Sequence, residues 1–272
     1  MNLEIVNRKG ARKAQDIPTE VLHLLNRGEI ETVNLTEWLN VDHSEIIKNN
    51  FPEIGISNTD INTLLEAIKD QKKPTTMSNT KLVGLNIYNL YAENSNFNSI
   101  VTKLSNHPSD SIRCFAPYLI ALNKKLNTEQ KLNNAQNLIA DKHFGVREVV
   151  WMALRPAIEN DLKNAVDILS KWTKHKDENV RRFTTEATRP RGVWCKHIDT
   201  LKENPEIALP ILDNLKADSS KYVQDSVGNW LNDASKTKPE FVINLCNNWQ
   251  KDSPIKETEK IIKRARRTID KK

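Results

Sequence analysis

Apolar residues return at helical spacing along most of the chain. In "NAVDILSKW" (164–172) they fall at Ala165, Val166, Ile168, Leu169 and Trp172, and "IALPILDNL" (207–215) has the same rhythm. Such spacing predicts short amphipathic helices, each with one face to bury. The N-terminal third, with "IPTEVLHLLNRGE" and "NLTEWLNVD", is also helical in pattern but less regular. Leu, Lys, Glu, Ala and Asn dominate, and glycine supplies 7 of 272 residues. So little glycine argues against a β-barrel, a Rossmann fold or a P-loop enzyme, which spend it on turns and phosphate contacts. The expected class is all-α.

Four segments align with one another: "HPSDSIRCFAPYLIAL", "DKHFGVREVVWMALRP", "KDENVRRFTTEATRP" and "DSSKYVQDSVGNWLND". Each has a polar turn, then a β-branched residue (Ile112, Val146, Val180, Val223), then Arg113, Arg147, Arg181 or Gln224. The first two steps are 34 residues and the last is 43, the extra length falling around "RPRGVWCKH". A polar turn followed by a Val-Arg pair at the start of a second helix is the pattern of HEAT repeats. Stacked helix pairs then supply a core that no pair has alone, and the second helices line a concave face. The Trp, Gly and Tyr signature of tetratricopeptide repeats is missing. The expectation is a HEAT-like α-α solenoid. Residues 1–104 form an N-terminal helical cap region continuous with it, and residues 105–272 carry the repeats and end in a basic helix.

Charge adds a class of partner. The formal net charge is +6, with a pI near 9.1, which suits nucleic acid or another anionic surface. Cys114, Cys195 and Cys246 are scattered, and no apolar run has the length of a membrane span, so a reducing cytoplasm is expected. "MNLEIVNRKGARKAQ" does not read as a secretory leader. Cys195 and His197 form a lone C-x-H with no second ligand pair, so neither metal nor cofactor is expected. "NRKGARK" reads as a solvated tail, and "KIIKRARRTIDKK" reads equally as a tail or as part of a basic footprint.

The second helices group their polar residues at helical spacing: Glu148, Trp151 and Arg155; Arg182, Glu186 and Arg189; Asp225, Asn229, Asn232 and Asp233. Stacking is expected to merge these groups into one stripe. Arg113, Arg147 and Arg181 read as a structural ladder, and Trp38, Trp172 and Trp249 as core. Glu186 lies on a helix face with no apolar reason to exist, and Asp233 ends a helix where its dipole disfavours an acid. Residue chemistry alone leaves both open between scaffold and function. Trp194 sits among Arg189, Arg191, Lys196 and His197, either as a nucleic-acid contact or as an anchor for the insertion.

"VRRFTTEATRPRGVW" and "PEIALPILDNLKADSSKYVQDSVGNWLNDASKTKPEFV" resemble the bacterial DNA alkylation repair glycosylases of the HEAT-like-repeat superfamily, most of all the AlkC-type branch. "LNRGEIETVNLTEWLNVD" extends the resemblance, which covers roughly residues 17–250 and is strongest over 176–240. It implies excision of cationic alkylated purines, such as 3-methyladenine and 7-methylguanine, from duplex DNA bound on the concave face. Full base flipping is not implied. The family's acid, tryptophan and second acid fall on Glu186, Trp194 and Asp233. One position departs: where the branch has a glutamate, "WMALRP" has Trp151.

A purine made cationic by alkylation leaves readily, so carboxylates that stabilise an oxocarbenium-like sugar and place a water suffice. The resemblance therefore implies Asp233 and Glu186 as catalytic residues, with Glu148, one turn before Trp151, contributing. Trp151 and Trp194 would face the sugar or lesion, and Arg155, Arg189, Arg191, Lys196 and Asn229 would hold DNA. A monomer is expected. The substitution at Trp151 also admits a second reading, a non-catalytic HEAT-like protein that binds DNA structures or a protein partner through the same face.

Overall fold

In a computed structural model, residues 3–271 are described, and every regular element among them is a helix. The chain forms two compact units, residues up to 126 with 141–153, and residues 127–140 with 154 onward. The expected boundary after residue 104 falls inside the first unit. That unit contains α1 (Leu3–Val6), α2 (Thr19–Asn26), α3 (Leu35–Leu39), α4 (His43–Ile54), α5 (Asn58–Lys69), α6 (Thr76–Tyr91), α7 (Phe97–Ser105), α8 (Asp110–Arg113) and α9 (Ala116–Leu122). The second unit begins with α10 (Thr128–Asn134) and α11 (Gln136–Ile139), and α12 (Phe144–Asn160) contributes residues to both units. The rest of the second unit is α13 (Leu162–Trp172), α14 (Glu178–Glu186), α15 (Asp199–Glu203), α16 (Leu209–Leu215), α17 (Lys221–Ala234), α18 (Pro239–Asp252) and α19 (Lys256–Ala265). No described helix is long and apolar enough to cross a membrane.

The second unit has two helical layers. α10, α13 and α16 pack in succession as one, and α11, α14, α17 and α19 as the other. α14 and α17 start where the sequence supplies caps. The Asp177 carboxylate accepts from Asn179 N at 2.8 Å ahead of α14, and Ser220 Oγ accepts from Tyr222 N at 3.2 Å ahead of α17. The β-branched residue of each aligned segment (Ile112, Val146, Val180, Val223) is completely buried. So are Trp38, Trp230 and Trp249, whereas Trp172 is half-buried and packs beside Phe183.

The residue after it ties turns together. In the second unit Arg181 donates through Nε and Nη2 to both oxygens of Asp218, at 2.7 and 3.0 Å. Its Nη1 donates to His175 O and Lys176 O in its own turn, at 2.9 and 3.1 Å. Arg113 repeats the arrangement in the first unit, with Asp141 at 2.7 and 3.1 Å and His107 O and Pro108 O at 2.8 and 2.9 Å. Arg147 donates to Asp141 O and Lys142 O. Gln224 makes the neutral version, donating to Asp218 O at 2.7 Å. These are structural arginines.

The N-terminal basic segment is not a solvated tail. Arg8 makes a two-pronged ion pair with buried Glu37, at 2.9 and 2.7 Å, and donates to the carbonyls of Ile5 and Glu31. Glu37 also accepts from Val33 N, so the segment is locked to the start of α3.

Buried His43 adds a pH dependence. It lies edge-on to Phe115, and burial drives its pKa from 6.5 to about 4, although the Val41 backbone and Asp42 pull the other way. The folded chain therefore keeps the ring neutral while the unfolded chain takes up a proton near 6.5. Stability is lost as pH falls from about 6.5 towards 4, by roughly 3 kcal/mol over that window. Chemical denaturation across this pH range should show the loss in the wild type and a flatter profile in His43→Gln.

Candidate functional site

α14 ends at Glu186, and the chain then leaves the repeat as a loop up to Ile198. The loop is pinned from several sides. Arg155 of α12 is buried and spends its guanidinium on loop carbonyls, reaching Lys196 O at 2.9 Å, Ala187 O at 3.1 Å and Arg189 O. Trp230 of α17 donates to Thr188 O at 2.9 Å, and Ile198 N closes the loop on Pro190 O at 3.1 Å. At the tip Val193 and Trp194 are exposed; Trp194 is 56% exposed and has a left-handed backbone, with φ at +60°. A tryptophan is strained there, and the pinned ends hold it in place. Trp194 is thus not an anchor for the insertion.

Beneath the loop, Glu186 and Asp233 share one cation. Arg189 donates to Asp233 Oδ2 from Nε and Nη2, at 2.9 and 2.6 Å, and to Glu186 Oε2 from Nη1 at 3.2 Å. Glu186 Oε1 accepts from Ser226 Oγ at 2.8 Å and pairs with Arg182 at 3.3 Å. Thr185 Oγ1 extends the chain, 2.6 Å from Ser226 Oγ. Asp233 Oδ1 pairs with Lys236 at 2.9 Å, and Arg191 Nε donates to Asp233 O at 3.3 Å. Both acids are nearly enclosed, at 3% and 4% exposure. Burial opposes the charge on Arg189, but the two carboxylates outweigh it and raise its pKa. The guanidinium of Arg182 also lies over the Tyr222 ring, 4.3 Å from its centre.

The structure thus brings Glu186, Arg189, Arg191 and Asp233 into one network, beside a loop that offers Trp194 and an exposed Lys196. Three residues of the sequence reading are placed differently. Trp151 is 2% exposed and its indole donates to Glu148 at 3.0 Å, so it fills core in the first unit and cannot stack on a lesion. Arg155 is buried against the loop and bonded to three of its carbonyls, so it is not offered on the surface where a phosphate would bind. Asn229 accepts from Arg264 Nη1 at 3.4 Å, so α19 covers its face of α17. Glu148 lies in the first unit, half-buried on the Trp151 indole.

Reasoning from sequence missed Ser226 and Lys236. Both were readable by spacing, since Ser226 and Asp233 stand seven apart on α17 and Lys236 follows Asp233 by one turn. Among the described residues no group of three or more His, Cys, Asp or Glu could hold a metal ion.

The fold and this network define an all-helical HEAT-like repeat protein with a charged, tryptophan-flanked site. Residues 41–254 match the family model described as DNA alkylation repair enzyme, and the chain belongs to that family. It is 43% identical over 120 residues to the Bacillus subtilis protein YhaZ, a match spanning 44% of this chain and a third, 33%, of YhaZ. Its fold is similar to that of the Pseudomonas fluorescens alkylpurine DNA glycosylase AlkC bound to DNA containing an abasic site analog. There the TM-score is 0.66 at 24% identity, over 84% of this chain and 63% of AlkC. AlkD2 from Streptococcus mutans aligns at TM-score 0.60 and 25% identity, over 78% of this chain and 99% of its own. The chain therefore spans less than two thirds of the length of either YhaZ or AlkC.

Arg155→Ala should free the loop. Three carbonyls lose their donor, at a cost on the order of 2–3 kcal/mol. Hydrogen exchange over 187–198 should accelerate far more than over α13, whereas equal acceleration would mean that Arg155 holds the whole unit and not the loop.

Proposed function

We propose that the protein is an alkylpurine DNA glycosylase that hydrolyses the N-glycosidic bond of cationic alkylated purines, such as 3-methyladenine and 7-methylguanine, in duplex DNA. The observation that carries this reading is the shared arginine. Arg189 fixes a carboxylate from α14 and one from α17 side by side, next to a loop that projects a tryptophan. Membership of the alkylation repair family and similarity to a solved DNA-bound glycosylase support it.

Alkylation at N3 or N7 makes the purine a good leaving group, so the base needs little protonation. The remaining barrier lies in positive charge that develops on the sugar and in the delivery of water. A carboxylate suits both tasks, because it stabilises the sugar cation and accepts a proton from the attacking water. Asp233 and Glu186 take these roles, and Arg189 is a positioning residue that keeps both oxygens aimed. Trp194 meets the cationic nucleotide, where cation–π attraction contributes about 0.5–2 kcal/mol. Arg191 and Lys196 engage the flanking phosphates, which position the duplex without reading its sequence.

Two observations favour a second reading, in which the protein binds DNA but excises nothing. Both acids are almost closed off by their cations, and Trp151 stands where the AlkC-type branch has a glutamate. Release of free methylated bases from duplex DNA treated with a methylating agent separates the two. The glycosylase reading expects release by the wild type and at least a hundredfold slower release by Asp233→Asn or Glu186→Gln with DNA binding retained, about 3 kcal/mol of barrier. Binding without any release by the wild type would establish the second reading.

A further inference from the structure

We infer that a basic cleft between α17 and α19 is a second DNA-backbone site, seated on phosphates away from the lesion. The inference rests on the duplex-binding reading above and adds to it a surface that neither the acid network nor the loop includes. The cleft has a volume of about 500 Å³ and is lined by Lys221, Gln224, Asp225, Lys260, Lys263, Arg264 and Arg267. Its one carboxylate is already satisfied, because Asp225 pairs with Lys221 at 2.5 Å and with Arg264 at 2.7 Å. Lys260, Lys263 and Arg267 are exposed, and none of them forms an ion pair among the described residues.

α19 is a built part of the unit. Its buried face is Thr258, Ile261 and Ala265, and α17 is its main neighbour. Gly228 makes the approach possible, since a Cβ there would lie 2.8 Å from Arg264 Cβ and 2.9 Å from Arg264 Cγ. Polar ties then fix the register. Arg264 reaches Asp225 and Asn229, and Thr268 Oγ1 donates to Asn232 at 2.9 Å. The polar stripe of α17 is thereby covered, and the cations of α19 become the surface that partners meet.

The spacing suits a nucleic-acid strand. Lys260 and Lys263 stand one turn apart on α19, and Arg267 follows in the turn just past the helix end, so the three cations line one side of the cleft. One strand of a duplex presents a charge every ~3.4 Å of axis, so several cations on one side of the cleft can meet neighbouring phosphates of one strand. Cations in a last turn also compensate the helix dipole, but that effect is confined to the helix end. It accounts for neither Lys260, in the middle of α19, nor Lys221, on the other wall.

The test compares binding of a short unmodified duplex to the full chain across a salt series, by fluorescence anisotropy. The triple variant K260Q/K263Q/R267Q should bind roughly tenfold or more weakly at low salt and flatten the slope of log affinity against log salt by about 2–3. A control variant, K69Q/K72Q/K73Q, removes the same charge from exposed positions of the first unit and should leave the slope near that of the wild type. Melting of each variant verifies that it folds. An unchanged slope in the cleft variant, with the wild type binding normally, overturns the cleft and leaves the duplex-binding reading standing. Equal losses in both variants also overturn it, because overall charge would then be the cause. No salt-sensitive duplex binding by the wild type overturns both.

Discussion

The fold depends on one repeated interaction, an arginine that closes its own turn and grips the aspartate of the next. A turn leaves carbonyls pointing outward, and a planar guanidinium satisfies two of them with one nitrogen while its other edge takes a carboxylate. Arg181 does this towards Asp218, whose Oδ1 accepts both from Arg181 Nη2 and from Ser220 N at the start of α17. The tie therefore sets where α17 begins relative to α14. A second tie, Arg189 to Asp233, joins the far ends of the same two helices. Glu186 and Asp233 owe their proximity to this double fastening more than to any contact of their own.

α17 explains how one helix serves both scaffold and site. Val223, Val227 and Trp230 give it a core face. Ser226 and Asp233 form a polar stripe turned to α14, and Asp225, Asn229 and Asn232 form another turned to α19. On a helix these stripes are adjacent, so buried carboxylates on one side and a basic helix on the other are set by the same backbone.

Much of this was legible in the sequence. The 34-residue step from Val146 to Val180 gives the repeat, and the arginine after each valine gives the ladder, because turn and helix are close in the chain. Glu186 and Asp233 were visible as acids that no local rule required. Arg155 and Asn229 were misread for a common reason. Helical spacing says which residues share a face, but what covers that face depends on partners far away in sequence. Arg155 is covered by a loop 32 to 41 residues on and Asn229 by a helix 35 residues on, as their hydrogen bonds record. The N-terminal Arg8 was misread in the same way, its partner Glu37 lying well down the chain. Composition marked these groups as charged and could not say that they were already spent.

The charge balance of the acid network separates it from the ladder. At Arg181 one cation meets one aspartate, and the rest of its donors go to neutral carbonyls. Around Glu186 and Asp233, Arg182, Arg189 and Lys236 meet two carboxylates, and Arg191 adds a fourth cation against the Asp233 backbone. Burying charges costs several kcal/mol per ion before pairing repays it, so a network of this kind is a poor way to gain stability. An apolar contact between α14 and α17 would fasten them as well. What the network supplies instead is a pair of carboxylates held by cations in an enclosed place, with surplus positive charge at its edge. In the glycosylase reading proposed above, carboxylates so held would face a sugar that turns cationic, while the surplus would face the phosphates on either side of it. That division of labour is the physical argument for reading this end of α14 and α17 as a place for chemistry on a polyanion.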